Sequence, residues 1–343
     1  MNKRQLLAVA TFAMADGAVA QSNLTIYGAV DTSVVHLSIP GKSVTGLAGG
    51  GRSGSALGIR GSEELGNGYR VNLWLEGSIQ ADGSSTSAFA FSSRSSIGLQ
   101  GGFGELRVGR DANIISQLRD DFSPTGGSGI MGLNGNNLLR WAAIGSLMGS
   151  SSWTSPNSLT YLSPQLGGMY GRASYSFGEQ AGNSRLGSNI SARVGYSSGP
   201  LHLSLGYNLA RGGTDSLGVS YRTYNLGASY WIAGFMPMLL LGSERGNGQR
   251  VDFYSLGIKY RWATHELRGV YTSFMDKVQE RSDSQRLVLG YSYIFSKRTE
   301  IFSSVARLTN QKNAARRLAT MLSHSMDAGQ NISGYEIGIY HRF

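Results

Sequence analysis

Gly49-Gly50-Gly51-Arg52-Ser53-Gly54 has the G-x-G-x-x-G spacing with which dinucleotide folds cradle phosphate. That use needs a strand before it, a helix after it and an acidic residue to read the ribose, and the surrounding sequence supplies none of them. The run reads instead as a flexible first loop. The five histidines, His36, His202, His265, His324 and His341, have no metal-ligand spacing, and no H-E-x-x-H occurs. Cysteine is absent, which removes disulfides, thiolate metal sites and cysteine nucleophiles together. Serines are many, but they recur on small-residue faces rather than beside a base and its orienting group. What remains is charge: single arginines, lysines and carboxylates at even spacing along alternating segments. Such residues do not make bonds; they line a water-filled passage and set which ions enter it. No cofactor is expected.

The elements that hold these charges are strands. From Leu24 onward, apolar or aromatic residues alternate with small or polar ones for about ten residues, a turn signal follows, and the alternation resumes. Leu201-His202-Leu203-Ser204-Leu205-Gly206-Tyr207-Asn208-Leu209 is the clearest case. A soluble sandwich also alternates. Here, however, the second face is small as well as polar, the pattern of a barrel with lipid outside and water inside. Short turns are expected at Leu65–Gly68, Gly101–Gly104, Gln165–Gly168, Ser197–Pro200, Trp231–Gly234, Arg261–Thr264 and Phe295–Arg298. Longer Gly/Ser/Asn-rich connections lie between them, the longest over roughly 112–152. The fold class expected is therefore all-β: a transmembrane antiparallel β-barrel of about sixteen strands. No run reaches the ~18 apolar residues of a membrane-crossing helix. Only 15% of the residues are charged, against about 25% in soluble domains.

Strand parity then assigns faces. With Ile97, Leu99, Leu106 and Val108 toward lipid, Arg94, Glu105 and Arg107 point inward. The same rule places Arg60, Arg70, Arg172, Arg193, Lys259, Arg261, Arg268 and Arg286 inside, with Asp31, Glu76, Glu266 and Glu336. A charge at the lipid midplane costs about 2–4 kcal/mol, so the register that keeps these groups in water is favoured. Ten bases face five acids in this set. Arg107 and Lys259 lie near short turns and so near the periplasmic mouth, whereas Arg94 is near mid-height. The long third loop begins with Asp111, Asp120 and Asp121 and carries Arg119 and Arg140. A loop of that length in a compact fold is usually functional. Arg94, Arg60, Asp111, Asp120, Asp121 and Arg140 are the candidate constriction. Tyr27, Tyr161, Tyr175, Tyr196, Tyr224, Tyr230, Tyr260, Tyr291 and Tyr293 lie near strand ends and read as interfacial aromatic girdles.

The two ends of the chain carry their own signals. Lys3 and Arg4, the apolar run Leu6–Met14 and the small-x-small site Ala18-Val19-Ala20 describe a secretory signal peptide over 1–20, cleaved after Ala20. Residues 21–343 are then the barrel. Counting back in twos from Phe343 gives His341, Ile339, Ile337 and Tyr335, an amphipathic last strand that closes the barrel and serves as its assembly signal. The formal charge is +10, but the bases are scattered, so nucleic acid is not an expected partner. The outward positions Gly28, Gly61 and Ser95 leave a small-residue face that suits packing against another barrel.

The sequence resembles the trimeric general porins of β-proteobacteria. The likeness is carried by Leu24-Thr25-Ile26-Tyr27-Gly28-Ala29-Val30-Asp31, Leu57-Gly58-Ile59-Arg60-Gly61-Ser62-Glu63-Glu64-Leu65-Gly66 and the run Gly98–Asp111. Asn157–Pro164, Ser296-Lys297-Arg298-Thr299 and the Ile-Tyr-His-Arg-Phe terminus complete it. The resemblance implies a homotrimer with its third loop folded into the lumen, surrounded by lipopolysaccharide and outer-membrane lipid and inserted by the barrel-assembly machinery. It also implies a passive channel for small hydrophilic solutes with arginines facing loop acids. Ala56 and Thr154 stand where anion-selective relatives carry arginine, and Thr160 replaces a common strand arginine, so the anion preference expected is mild. A substrate-specific anion channel, and an enzyme or adhesin using the barrel as an anchor, are the alternatives.

Overall fold

The computed structural model describes residues 22–80, 88–125, 129–130, 153–212, 219–318 and 324–343. Seventeen strands alternate along it: β1 (Ser22–Ile39), β2 (Lys42–Gly49), β3 (Ala56–Gly66), β4 (Tyr69–Ser78), β5 (Arg94–Gly101) and β6 (Gly104–Ala112) precede one short helix, α1 (Ile114–Asp121). They are followed by β7 (Thr154–Leu162), β8 (Met169–Ser176), β9 (Asn189–Ser198), β10 (Leu201–Arg211), β11 (Ser220–Tyr230) and β12 (Phe235–Gly246). The wall ends with β13 (Gln249–Trp262), β14 (His265–Asp276), β15 (Ser284–Ile294), β16 (Thr299–Asn310) and β17 (Ile332–Arg342).

Every ladder is antiparallel and the ring is closed. Each strand from β3 to β17 pairs with the next, and β17 pairs back onto β1 from Ala29↔Arg342 to Ser38↔Ser333. β1 is long enough to hold two partners in line on its other edge: β2 along Thr32–Ile39 and β3 along Ser22–Ala29. β2 and β3 are thus one stave interrupted by residues 50–55, and the wall has sixteen staves. The seam is sealed by reciprocal backbone bonds, Gly28 N to Phe343 O at 3.1 Å and Phe343 N to Gly28 O at 3.0 Å. Closure leaves no unpaired strand edge to face hydrocarbon.

All seven expected short turns join adjacent strands. Asn67-Gly68 adopts positive φ at both residues (52° and 78°), the geometry a two-residue hairpin needs. The opposite end is less uniform than the sequence suggests. β12 and β13 are joined by Asn247-Gly248 alone, again with positive φ at both (50° and 69°), and β1 and β2 by Pro40-Gly41.

Outward faces carry exposed Leu, Ile, Val and aromatic residues throughout, including Leu203, Leu205, Val194 and Leu256. The inner face departs from the small-and-polar pattern expected of every strand. Val35, Leu37, Val270, Val288, Leu308 and Ile332 point inward and cluster with Ile130 and Leu318 from connecting segments. Leu240, Phe253 and Phe274 do the same beneath Leu118 and Phe122 of the third connection. Burial of these faces under folded-in segments removes their apolar surface from the water of the lumen.

α1 is the element that crosses the interior. Asn113 caps it, its Oδ1 accepting from Ile115 N (3.0 Å) and Ser116 N (3.2 Å), and Arg119 sits in its last turn. The helix lies against β8–β11. Gly206 and Gly227 make this approach possible: a Cβ at Gly206 would lie 2.7 Å from Ile115, and one at Gly227 2.0 Å from Phe122.

Candidate pore-lining site

The inner wall at β3–β6 is organised around one indole. Parity puts Trp74 inward, between the outward Leu73 and Leu75, directly opposite Arg60 and Ser96. The Arg94 guanidinium stands 3.6 Å from its ring centroid, Arg60 4.0 Å and Arg107 5.6 Å. Trp74 Nε1 donates to Tyr27 Oη (2.5 Å), and Tyr27 Oη donates to Glu76 Oε2 (2.6 Å). Tyr27 is therefore a lumen residue, with Arg60 4.5 Å over its ring, and not part of an interfacial girdle. Its phenol is kept in water with the charges it orders. Tyr161, Tyr175, Tyr196, Tyr224, Tyr230, Tyr260, Tyr291 and Tyr293 occupy outward positions on their strands.

Acids stand behind these arginines. Arg107 binds Glu105 (2.8 Å) and Asp111 (3.0 Å), while Arg94 lies 3.8 Å from Asp111. Arg107 thus reaches up from its position near a short turn and joins Arg94, contrary to the expectation that it stays at the mouth. The long side chain carries the charge well away from its Cα. Arg172 completes the group, its Nη1 donating to Gln117 of α1. Trp74, Arg94, Arg107, Asp111, Gln117 and Arg172 line a recess of about 250 Å³ between the wall and the start of the third connection. Arg70 stays apart, paired with Glu64 at the short turn.

The far end of α1 is fastened to the opposite wall by charge. Asp121 binds Arg193 at 2.7 Å and Arg119 lies 3.3 Å from Glu244 of β12. Burial pushes the Asp120 carboxyl up to about 7, with Arg119 acting against the shift and Asp121 reinforcing it. Of the expected constriction residues, Arg60, Arg94 and Asp111 come together, and Asp120 and Asp121 lie at the other end of α1. Arg140 falls outside the described residues.

A second charged group was not legible. Residues 50–55 are not a flexible loop. The backbone N–H groups of Gly51, Arg52 and Ser53 donate to the Asp31 carboxylate at 3.0, 2.7 and 2.7 Å. Successive N–H groups wrapping an anion make such a turn rigid. They aim Arg52 along the inner wall to Glu300 (2.6 Å) and Glu266 (3.2 Å). Glu266 also holds Arg261 (2.5 Å) and lies 3.7 Å from Arg268. Lys259 sits opposite Arg268, and Glu336 accepts from Ser33 Oγ (2.7 Å) and Ile130 N (3.3 Å). Arg286 is fully buried on β15 rather than facing open lumen.

These observations change the charge balance. Arg52 and Arg119 join the inward bases, but Glu64, Asp111, Asp121, Glu244 and Glu300 join the acids. Sequence parity could have found Trp74, which shares the parity of Glu76. The sequence places Arg52 in the first loop and Arg119 in the third, but both lie outside strands, so parity assigns neither a face.

The closed antiparallel wall agrees with comparison to known proteins. The pattern of the Gram-negative porins matches residues 6–313. The chain belongs to that family. This porin is 32% identical over 99% of its length to all of outer membrane porin protein 32 of Delftia acidovorans. It is 26% identical over 93% of its length to 97% of the major outer membrane protein P.IB of Neisseria meningitidis serogroup B. Its structure resembles the anion-selective porin of Comamonas acidovorans with a TM-score of 0.86, at 30% identity, covering 94% of this chain and 100% of that one. The porin sits in the cell outer membrane and is a channel for passive diffusion of small hydrophilic solutes.

Proposed function

We propose that the channel has a weak preference for anions, set by the arginines gathered about Trp74. The observation that carries this reading is the stack itself. Arg60, Arg94 and Arg107 surround one indole. With Arg172 they are four bases against Glu76, Glu105 and Asp111, so the face is positive by a single charge. Distant, wetted bases are screened over about 8 Å at physiological salt, whereas charges in a narrow recess act on a passing ion in a lower effective dielectric. The extensive pairing of other inward bases keeps the preference small, and so do Ala56 and Thr154. Reversal potential across a planar bilayer in a salt gradient tests it. Arg94→Glu should move the potential toward cations far more than Lys259→Glu, although both change net charge equally. Equal shifts would assign selectivity to diffuse lumen charge instead.

We further propose that residues 1–20 are a signal peptide cleaved after Ala20, and that the mature protein is a homotrimer in a lipopolysaccharide-containing membrane. Gly61 and Ser95 supply the small outward face for trimer contact. Gly28 does not, because the ring of Phe343 covers it: a Cβ there would lie 2.5 Å from Phe343 Cζ. The mass of the mature N-terminal peptide and migration of unheated protein on gels test these two readings; a monomer band would exclude the trimer.

A further inference from the structure

We propose that the outer wall of β11–β13 binds the phosphate groups of lipopolysaccharide through Arg222, Arg245 and Arg250. The strand registers set Arg222 opposite Arg245, and Arg245 opposite Arg250. All three are exposed and alternate with buried, inward Tyr221, Glu244 and Val251, so they point away from the lumen. Like charges directly opposite one another across strands are destabilising, and an external anion relieves them. Internal compensation is incomplete. Arg250 pairs with Asp252 at 2.9 Å. Arg245 stands 5.1 Å over the ring of Tyr224 and donates to its Oη at 2.9 Å. Among the described residues no carboxylate lies within 4.0 Å of Arg222 or Arg245.

The height of the row selects the occupant. One outward position below it on β11 is Tyr224, and two below it on β13, after Asp252, is Tyr254; these tyrosines contact Tyr207 and Tyr271 on the neighbouring strands (5.2 and 6.1 Å). Level with Tyr254 and then below it come the exposed Leu226, Leu241 and Leu256. An aromatic girdle above an apolar band marks the membrane interface, so the guanidiniums stand at headgroup level. This end of the barrel is opposite the seven short turns, hence the outer leaflet. The two-residue Asn247-Gly248 hairpin joins β12 to β13 with no long connection between Arg245 and Arg250. Of the nearby acids, Asp276 and Asp283 accept from backbone N–H groups and neither pairs with the three arginines. Guanidinium forks match phosphate oxygens in pairs. A phosphorylated glycolipid with its acyl chains against the leucine band satisfies both layers at once.

The inference rests on the outer-membrane location and is independent of the ion preference proposed above. Its test is lipopolysaccharide bound to porin extracted from outer membranes in mild detergent, quantified by mass spectrometry, and rebinding of purified lipopolysaccharide. Arg222→Gln/Arg245→Gln/Arg250→Gln should hold roughly tenfold or more less than wild type, and Lys297→Gln/Arg298→Gln at a periplasmic turn should hold as much as wild type. Dephosphorylated lipopolysaccharide should bind wild type poorly, and binding should weaken with salt. Unchanged retention by the triple variant, or equal binding of the dephosphorylated lipid, would overturn the site. So would full displacement by inorganic phosphate at equal phosphate concentration, or loss of a protein–protein contact in the triple variant on native mass measurement. If the triple variant does not fold, Arg245→Gln and Arg245→Lys alone should each reduce binding. Single-channel conductance and reversal potential of the same variants should stay at wild-type values, which separates failure here from failure of the pore reading.

Discussion

At the residue scale, the lumen is governed by how a few side chains are held. Trp74 carries no charge, yet three guanidiniums rest on or beside its ring. Trp74→Ala removes the surface that spaces them without altering net charge. The expected outcome is a loss of part of the anion preference in reversal-potential measurements, with Trp74→Phe restoring more of it than Trp74→Leu. Asp120 gives a second prediction. Its carboxyl titrates at about 7 because burial disfavours the charged form. A folded-state value above the ordinary Asp range means that the folded chain holds a proton the unfolded chain has lost. Stability from this group is complete below the ordinary Asp range and falls as pH climbs to about 7. The lumen gains a negative charge over the last part of that window. Anion preference should therefore be larger at pH 5.5 than at pH 8.5, and Asp120→Asn should flatten the difference; an unchanged pH profile in that variant would count against the assignment.

At the element scale, α1 is fixed by small residues on the wall it crosses. Gly227 leaves room for Phe122, and a Cβ there would lie 2.0 Å from the ring. Gly227→Val pushes the end of α1 toward the lumen axis at a cost of about 1–3 kcal/mol, while the strand ladder stays intact. Single-channel conductance should fall and the fold, read by resistance to unfolding without heat, should persist. The cap at the other end matters less: Asn113→Ala removes the side-chain acceptor of two backbone N–H groups, worth about 1 kcal/mol. The interrupted stave β2–β3 shows the same logic in reverse. Its break is stabilised because three consecutive N–H groups have one carboxylate to bind, so a gap in the ladder becomes an ordered, pore-facing turn.

At the scale of the molecule, closure decides everything else. Phe343 pairs its backbone with Gly28 and lays its ring over it, while Tyr335, Ile337 and Ile339 face outward beside it. His341 Nδ1 and Thr299 Oγ1 share a hydrogen bond at 2.9 Å on the adjoining strand. Deleting Phe343 removes two seam bonds and the cover over Gly28, and it should sharply reduce folded protein in the outer membrane while precursor is still made and exported. Fractionation and unheated gels check this; normal yield would show that the terminal residue is dispensable to assembly.

The wall was legible in the sequence because a strand has a period of two and a barrel has only two environments. Alternation fixed which of Leu203 and Ser204 meets lipid, and Gly-rich punctuation located the short turns. The same rule placed Arg60, Arg94 and Glu76 in the lumen from neighbours one residue away. It was silent wherever the chain leaves the wall. Arg52 enters the lumen on a turn whose shape depends on Asp31, some twenty residues earlier, and Arg119 finds Glu244 only because the third connection folds back across the interior. The apolar inward residues Leu240, Phe253 and Phe274 break the alternation in a way that makes sense only once α1 lies over them. Local periodicity is set by backbone geometry and can be counted along the chain. Contacts between an interior segment and a distant wall are set by complementary surfaces from remote stretches of sequence, and only the closed barrel brings those together.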